Sequence, residues 1–177
     1  MTNRDADGNV KPDFLTRMKN LVAKIPGLED FMNREKLREN DKLLREYTAK
    51  QLDAAKTGLD NLKKALLDDM KISWLDDVDR MSSKIDRLRD KHRFDAYGYS
   101  GAFDANKILE PELQKLYDYD LTLLDKVERF KATCAKIGQE KTDDQSLKMA
   151  MDSLQVEIAA LAELVDNRGE ALNKLVR

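Results

Sequence analysis

The chain has 177 residues, 41% hydrophobic and 37% charged, with seven Gly, three Pro, one Cys and one His. That length suits one domain, and a composition so charged and so poor in Gly and Pro belongs to long helices packed as a bundle or coiled coil. A net charge of −2 with acids and bases interleaved, and no basic stripe threaded with aromatics, points away from nucleic acid, while the lone Cys134 excludes an intramolecular disulfide and no apolar run reaches the length of a bilayer.

Residues 1–12, "MTNRDADGNVKP", are polar and are expected to form a disordered tail without the apolar core of a secretory signal; a cytoplasmic location is expected. Asp13 is placed to cap a short helix over 13–25. Phe14, Leu15, Met18, Leu21 and Val22, with Ile25, share one face of it, and Arg17, Lys19 and Lys24 lie nearby. Pro26-Gly27 then stops the helix. The apolar face either docks on the rest of the chain or meets a partner groove or an anionic membrane surface.

A long amphipathic helix is expected over 34–70. Leu44, Leu52, Ala55, Leu59, Leu62, Leu66 and Met70 form its stripe, and Thr48 fills the missing step by bonding back to a carbonyl one turn earlier. Ser73 and Asp76 have the spacing of a capping box for the next helix, 74–93. Its seam of Val78, Met81, Ile85, Leu88 and His92 follows three- and four-residue steps, and tight antiparallel packing puts His92 near Leu52. At 1.5 Å per residue the first long helix spans roughly 55 Å and the second about 30 Å. One corner of the bundle is therefore short of helix.

The segment "RFDAYGYSGAFDANK" (93–107) begins at that corner. Phe94, Tyr97, Tyr99 and Phe103 are expected to fold inward over it, with Gly98 and Gly101 permitting the turns. The third helix is expected over 111–138, from Pro111 to Gly138, with Leu116, Asp120, Leu123, Val127, Phe130, Cys134 and Ile137 on its seam. Thr142 and Gln145 have capping-box spacing for the last helix, 143–176, whose seam runs from Leu147 to Leu175 and is interrupted by Arg168. Short turns make consecutive helices antiparallel neighbours.

Tests for chemistry give little. "GYSGA" (98–102) approaches a nucleophile elbow, but its last position is Ala102 and no strand precedes Ser100. One His cannot supply the paired Glu-x-x-His ligands of a bundle metal site, and Arg89 stands where the Glu belongs. Cys134 reads as a small core residue. No cofactor and no catalytic residue is therefore expected. Asp120 and Arg168 are charges on core seams, and each needs a partner. An antiparallel turn about Lys141 sets Asp120 opposite Leu161 and Arg168 opposite Leu113, so the two are expected to miss by about one heptad. Arg168 could turn to Glu110 or Glu112, and Asp120 to Arg93 or a Tyr hydroxyl. His92, Arg93, Tyr97, Tyr99 and Asp120 make up the candidate polar corner.

Three stretches, "LVAKIPGLEDF" (21–31), "REKLRENDKLLREYTAKQL" (34–52) and "RFDAYGYSGAFDANKILEPELQKLYDYDLTLLDKV" (93–127), resemble a bacterial family of helical-bundle proteins. The resemblance covers roughly the first two-thirds of the chain and brings no activity and no functional residue with it.

The expected fold is all-α, an elongated antiparallel four-helix bundle with a short extra N-terminal helix, in a single domain over 13–177. The expected function is a non-enzymatic scaffold or adaptor that binds a protein partner or self-associates. An alternative is a peripheral membrane module using the 13–25 helix, and a third reading is an enzyme or small-ligand binder at the 92–104/Asp120 corner.

Overall fold

The computed structural model describes residues 13–28, 30, 31, 33–94, 110–139 and 143–176. It contains five helices, α1 (Phe14–Val22), α2 (Leu37–Asp68), α3 (Leu75–Phe94), α4 (Glu110–Gln139) and α5 (Asp144–Val176), and no strand among the described residues. The chain is all-α, and its helices pack as a bundle.

Helix ends follow from local chemistry. The Asp13 carboxylate accepts from the Thr16 amide at 2.7 Å, satisfying one orphan donor at the start of α1. α1 ends three residues sooner than the periodicity implies, yet Ile25 and Leu28 beyond it are buried. α2 closes in a paired-bond turn: the Lys71 amide donates to Leu66 O at 2.8 Å and the Met70 amide to Leu67 O at 3.0 Å. Met70 occupies the left-handed position, φ 59°, that glycine usually takes in this motif. Ser73 does not open α3 as a cap; it sits inside a 3-10 turn, Ile72–Trp74, that leads into the helix. Thr142 lies outside the described residues, and α5 is capped by Asp143, whose carboxylate accepts from the amides of Gln145 and Ser146, both at 3.0 Å.

The helices occupy the corners of a square. α2 packs on α3 and α4, and α5 packs on α4 and α3. α2 and α3 are antiparallel, as Lys56–Asp86 and Lys63–Asp79 show. α2 and α4 are parallel neighbours: Gly58 faces Cys134, and Gly138 faces Ala65 and Leu62. The expectation that consecutive helices are all neighbours is thus corrected. α3 and α4 stand at diagonal corners, because a long connection, unlike a tight turn, lets a bundle place parallel helices side by side. Gly138 lies within the last turn of α4 rather than ending it, and it holds that turn close to α2.

Two apolar clusters result. The larger fills the square with residues such as Leu59, Met81, Phe130 and Leu154 from each helix in turn, all at most 1% exposed. The smaller joins Met18 and Leu21 of α1 to Leu37 and Leu44 of α2 and to Leu113, Tyr117 and Leu121 of α4. Burying each such side chain contributes about 1.5–3 kcal/mol. Phe14, Phe31 and Tyr117 stack edge to face in series, with centroids 6.3 and 6.1 Å apart. The Tyr117 hydroxyl donates to the Phe31 carbonyl at 2.9 Å, and Arg17 reaches Asp125 at 2.8 Å. α1 is therefore docked on the bundle.

Candidate functional site

The polar residues that interrupt the seams meet in one buried layer. It lies where α3 stops, between the two apolar clusters. Asp41 and Arg45 project from α2, His92 from the last turn of α3, Asp120 from α4 and Arg168 from α5. Arg168 Nε donates to Asp120 Oδ1 at 2.7 Å, and Arg168 Nη2 donates to Asp41 Oδ1 at 2.5 Å. Arg45 Nε donates to Asp41 Oδ2 at 2.8 Å, and Arg45 Nη1 donates to the Arg93 carbonyl. Thr48, one step along α2, bonds back to the Leu44 carbonyl at 2.9 Å as its place in the stripe implies.

The pair expected to miss is therefore made. Arg168 and Asp120 meet in the same register as Glu157 of α5 with Arg129 and Thr133 of α4, which a turn about Lys141 does not give. Side chains in a helix lean toward its N-terminus. In antiparallel helices these leans converge, and the long Arg side chain closes the remaining gap. Neither Glu112 nor Arg93 takes the expected role: Arg168 turns to two aspartates, and Asp120 accepts from Arg168. Arg93 contributes its backbone carbonyl while its side chain is exposed. Phe94, expected to fold inward, is 53% exposed, because α3 still runs as helix there and points it away from the core. Tyr97, Tyr99, Phe103 and the side chain of Glu110 lie outside the described residues.

The electrostatics follow from enclosure. Two aspartates and two arginines balance when His92 is neutral, and it is neutral: burial, with Arg168 and Arg45 nearby, holds its imidazole well below the usual 6.5. Its Nε2 stands 3.7 Å from Asp120 Oδ1, too far for a hydrogen bond. Burial pushes the Asp120 carboxyl up to about 6, with Asp41 adding and Arg168 opposing. Burial also raises the Tyr117 phenol, helped by Asp41 and Asp120. Burial alone would lower the Arg168 guanidinium, but the two carboxylates more than offset it and keep it charged. Among the described residues, both ring nitrogens of His92, Asp120 Oδ2 and Arg168 Nη1 have no hydrogen-bond partner.

This arrangement bears on the register of the helices. Asp120 and Arg168 are 1% and 2% exposed. Sliding α5 by one heptad against α4 would bury both charges alone, at a cost of several kcal/mol per ion. The layer thus selects one alignment of α2, α4 and α5. Among the described residues no three His, Cys, Asp or Glu side chains converge as metal ligands. The Cys134 thiol, 1% exposed, is pushed up to about 12 by burial and by Glu157, and it stays protonated.

The N-terminal contact candidates divide. Met18 and Leu21 are buried against α4 and α2, Phe14 and Val22 are half-buried, and Leu15 is exposed. The sequence reading missed Asp41 and Arg45. The signal for them was there: stepping back from Leu52 through Thr48 reaches Arg45, Leu44 and Asp41 on the same helical face.

A second feature lies on the outside. Between the parallel neighbours α3 and α5 runs a groove of about 320 Å³, lined by Leu88, Ile158, Ala159 and Ala162 with Lys84, Arg87 and Lys91 along one edge. Ala159 and Ala162 leave it open, since larger side chains there would fill the seam.

Among the described residues no helix is long and apolar enough to cross a membrane. In comparisons with known proteins, no family model, no curated protein and no solved structure matches the chain, so the resemblance of its three stretches to a bacterial helical-bundle family rests on those residues alone.

Proposed function

We propose that the chain is a cytoplasmic, non-enzymatic helical adaptor, a single domain that binds a protein partner through an outer helical face. The observation that carries this reading is the α3/α5 groove. Among the described residues it combines an apolar floor with open access, whereas the charged layer is enclosed and its charges pair with one another. Apolar floors with polar rims are the common form of helix-binding sites. The polar corner fits a small-ligand reading less well, since Asp120 and His92 are 1% and 0% exposed. A membrane reading would require α1 to lift Met18 and Leu21 off α2 and α4 and to part Phe14 from Phe31, uncovering apolar surface on α4.

The test is site-specific photo-crosslinking in a native extract. A photoreactive residue replaces Ser83, exposed beside the groove, or Lys126, exposed on α4. A discrete protein adduct from position 83 and none from 126 is the expected result. No adduct from either position, or the same adducts from both, would end the adaptor reading.

A further inference from the structure

Arg80, Lys84, Arg87 and Lys91 recur along α3 in steps of four, three and four residues, which sets four cations on one edge of the helix. Their span from Arg80 to Lys91 is about 16 Å, or three helical turns. Arg80 is paired with Asp77, and Lys91 with Asp166. Lys84 and Arg87 are exposed and have no ion pair among the described residues, although Lys56, Lys63 and Arg89 on neighbouring positions of α2 and α3 all do. Both line the groove, and no carboxylate lines it with them. A shallower hollow of about 270 Å³ extends the same edge past Ser83 to Arg80.

Resting on the adaptor reading above, we propose that the α3/α5 groove receives an acidic amphipathic helix of a partner protein. Aliphatic side chains of that helix seat on Leu88, Ile158, Ala159 and Ala162, and its carboxylates meet Lys84 and Arg87. The floor selects against a polyanion such as nucleic acid: it offers aliphatic surface and no aromatic ring for a base to stack on. The rim selects against a basic or neutral helix, because two unpaired cations would face it. The straight run between two parallel helices suits a helix rather than an extended strand, because it presents side-chain ridges and no free backbone edge.

The experiment uses the full chain and a fluorescent helical peptide built from Leu and Glu, with Leu at three- and four-residue spacing and Glu on both flanks. Two control peptides carry Lys in place of Glu, or Ser in place of Leu. Binding is read by anisotropy at low and physiological salt, with far-UV circular dichroism confirming that each variant is folded. The Leu/Glu peptide is expected to bind and to weaken as salt rises. The double variant Lys84→Glu/Arg87→Glu should lower its affinity roughly tenfold or more. The exposed floor variant Ala159→Glu should lower it by a similar factor, and Lys84→Arg should preserve it. The proposal is overturned if the Leu/Glu peptide does not bind, if either Glu variant binds it unchanged, or if the Lys or the Ser peptide binds as well. It also fails if duplex DNA displaces the peptide, or if the same variants abolish concentration-dependent self-association of the chain. Protein adducts from position 83 together with indifference to the Leu/Glu peptide would sink this proposal and leave the adaptor reading standing; absence of both would remove the two together.

Discussion

Along the α2–α3 seam, Lys56–Asp86, Lys63–Asp79 and Arg89–Asp53 bridge the helices at 2.6–2.8 Å in contact with solvent. At the other end of α2, Asp41 pairs at similar distances, 2.8 Å with Arg45 and 2.5 Å with Arg168, which is 2% exposed. Distance does not separate these sets; water does. An exposed ion pair gains little, because solvent screens it and the side chains lose freedom, so its typical worth is about 0–1 kcal/mol. In the interior each charge has forfeited its hydration, and removing one partner strands the other. The surface ladder therefore decorates a register that apolar packing already holds, while the buried layer penalises every other register. Charge on a helical bundle is a specificity device only where it is enclosed.

The sharpest way to break this comparison is at Arg168. Arg168→Met leaves Asp41 and Asp120 without their shared cation and should lower the unfolding free energy by about 3–5 kcal/mol in denaturant titration. Replacing the set together, Asp41→Leu/Arg45→Leu/Asp120→Leu/Arg168→Met, should recover most of that loss. If the quadruple variant stays as unstable as the single one, the charges stabilise in their own right and the registration argument fails.

His92 sharpens the comparison through pH. Asp41 and Arg45 of α2, Asp120 of α4 and Arg168 of α5 surround it, and its folded-state pKa lies well below 6.5. For a depressed pKa, the stabilising contribution is present above the unfolded value and is lost as pH falls. Below about 6.5 the unfolded chain takes up a proton that the folded chain refuses, so the native state should lose up to about 1.4 kcal/mol per pH unit on this account. Asp120, raised to about 6, works in the opposite sense: its contribution is greatest below its unfolded value of 3.8 and is lost as pH rises toward 6. His92→Leu isolates the histidine part. The stability of that variant relative to the native chain should improve steadily from pH 6.5 toward pH 4.5; a pH-independent difference would show that His92 titrates normally.

The smallest effect is expected at the surface. Lys63→Ala should change stability by no more than about 0.5 kcal/mol at 0.15 M salt. In double-mutant cycles the Lys63–Asp79 coupling should be only a few tenths of a kcal/mol, against roughly 2 kcal/mol or more for Arg168–Asp120. Equal couplings would erase the distinction between the two sets.

Much of the helical scaffold was legible from residue order. Three- and four-residue spacing of Leu, Ile, Val and Met locates α2 through α5 to within a few residues, because burying one face of a helix requires that period. Asp13 capping, the Thr48 back-bond and the burial of Cys134 follow from chemistry within a turn or two of chain. The charges that break the seams, Asp120 and Arg168, are visible as breaks. What they bond to is not. That depends on the lean of two side chains toward opposite helix ends, and on α4 standing beside α2 rather than α3, which brings Asp41 within 2.5 Å of Arg168. The same placement sets α3 beside α5 and opens the groove over Ala159 and Ala162. Periodicity says which face of a helix is buried, since that is a property of one helix. Which helices share that burial, and therefore which buried charges pair and which seams stay open, is settled only by three-dimensional packing, where contacts between residues far apart in the chain compete for the same space.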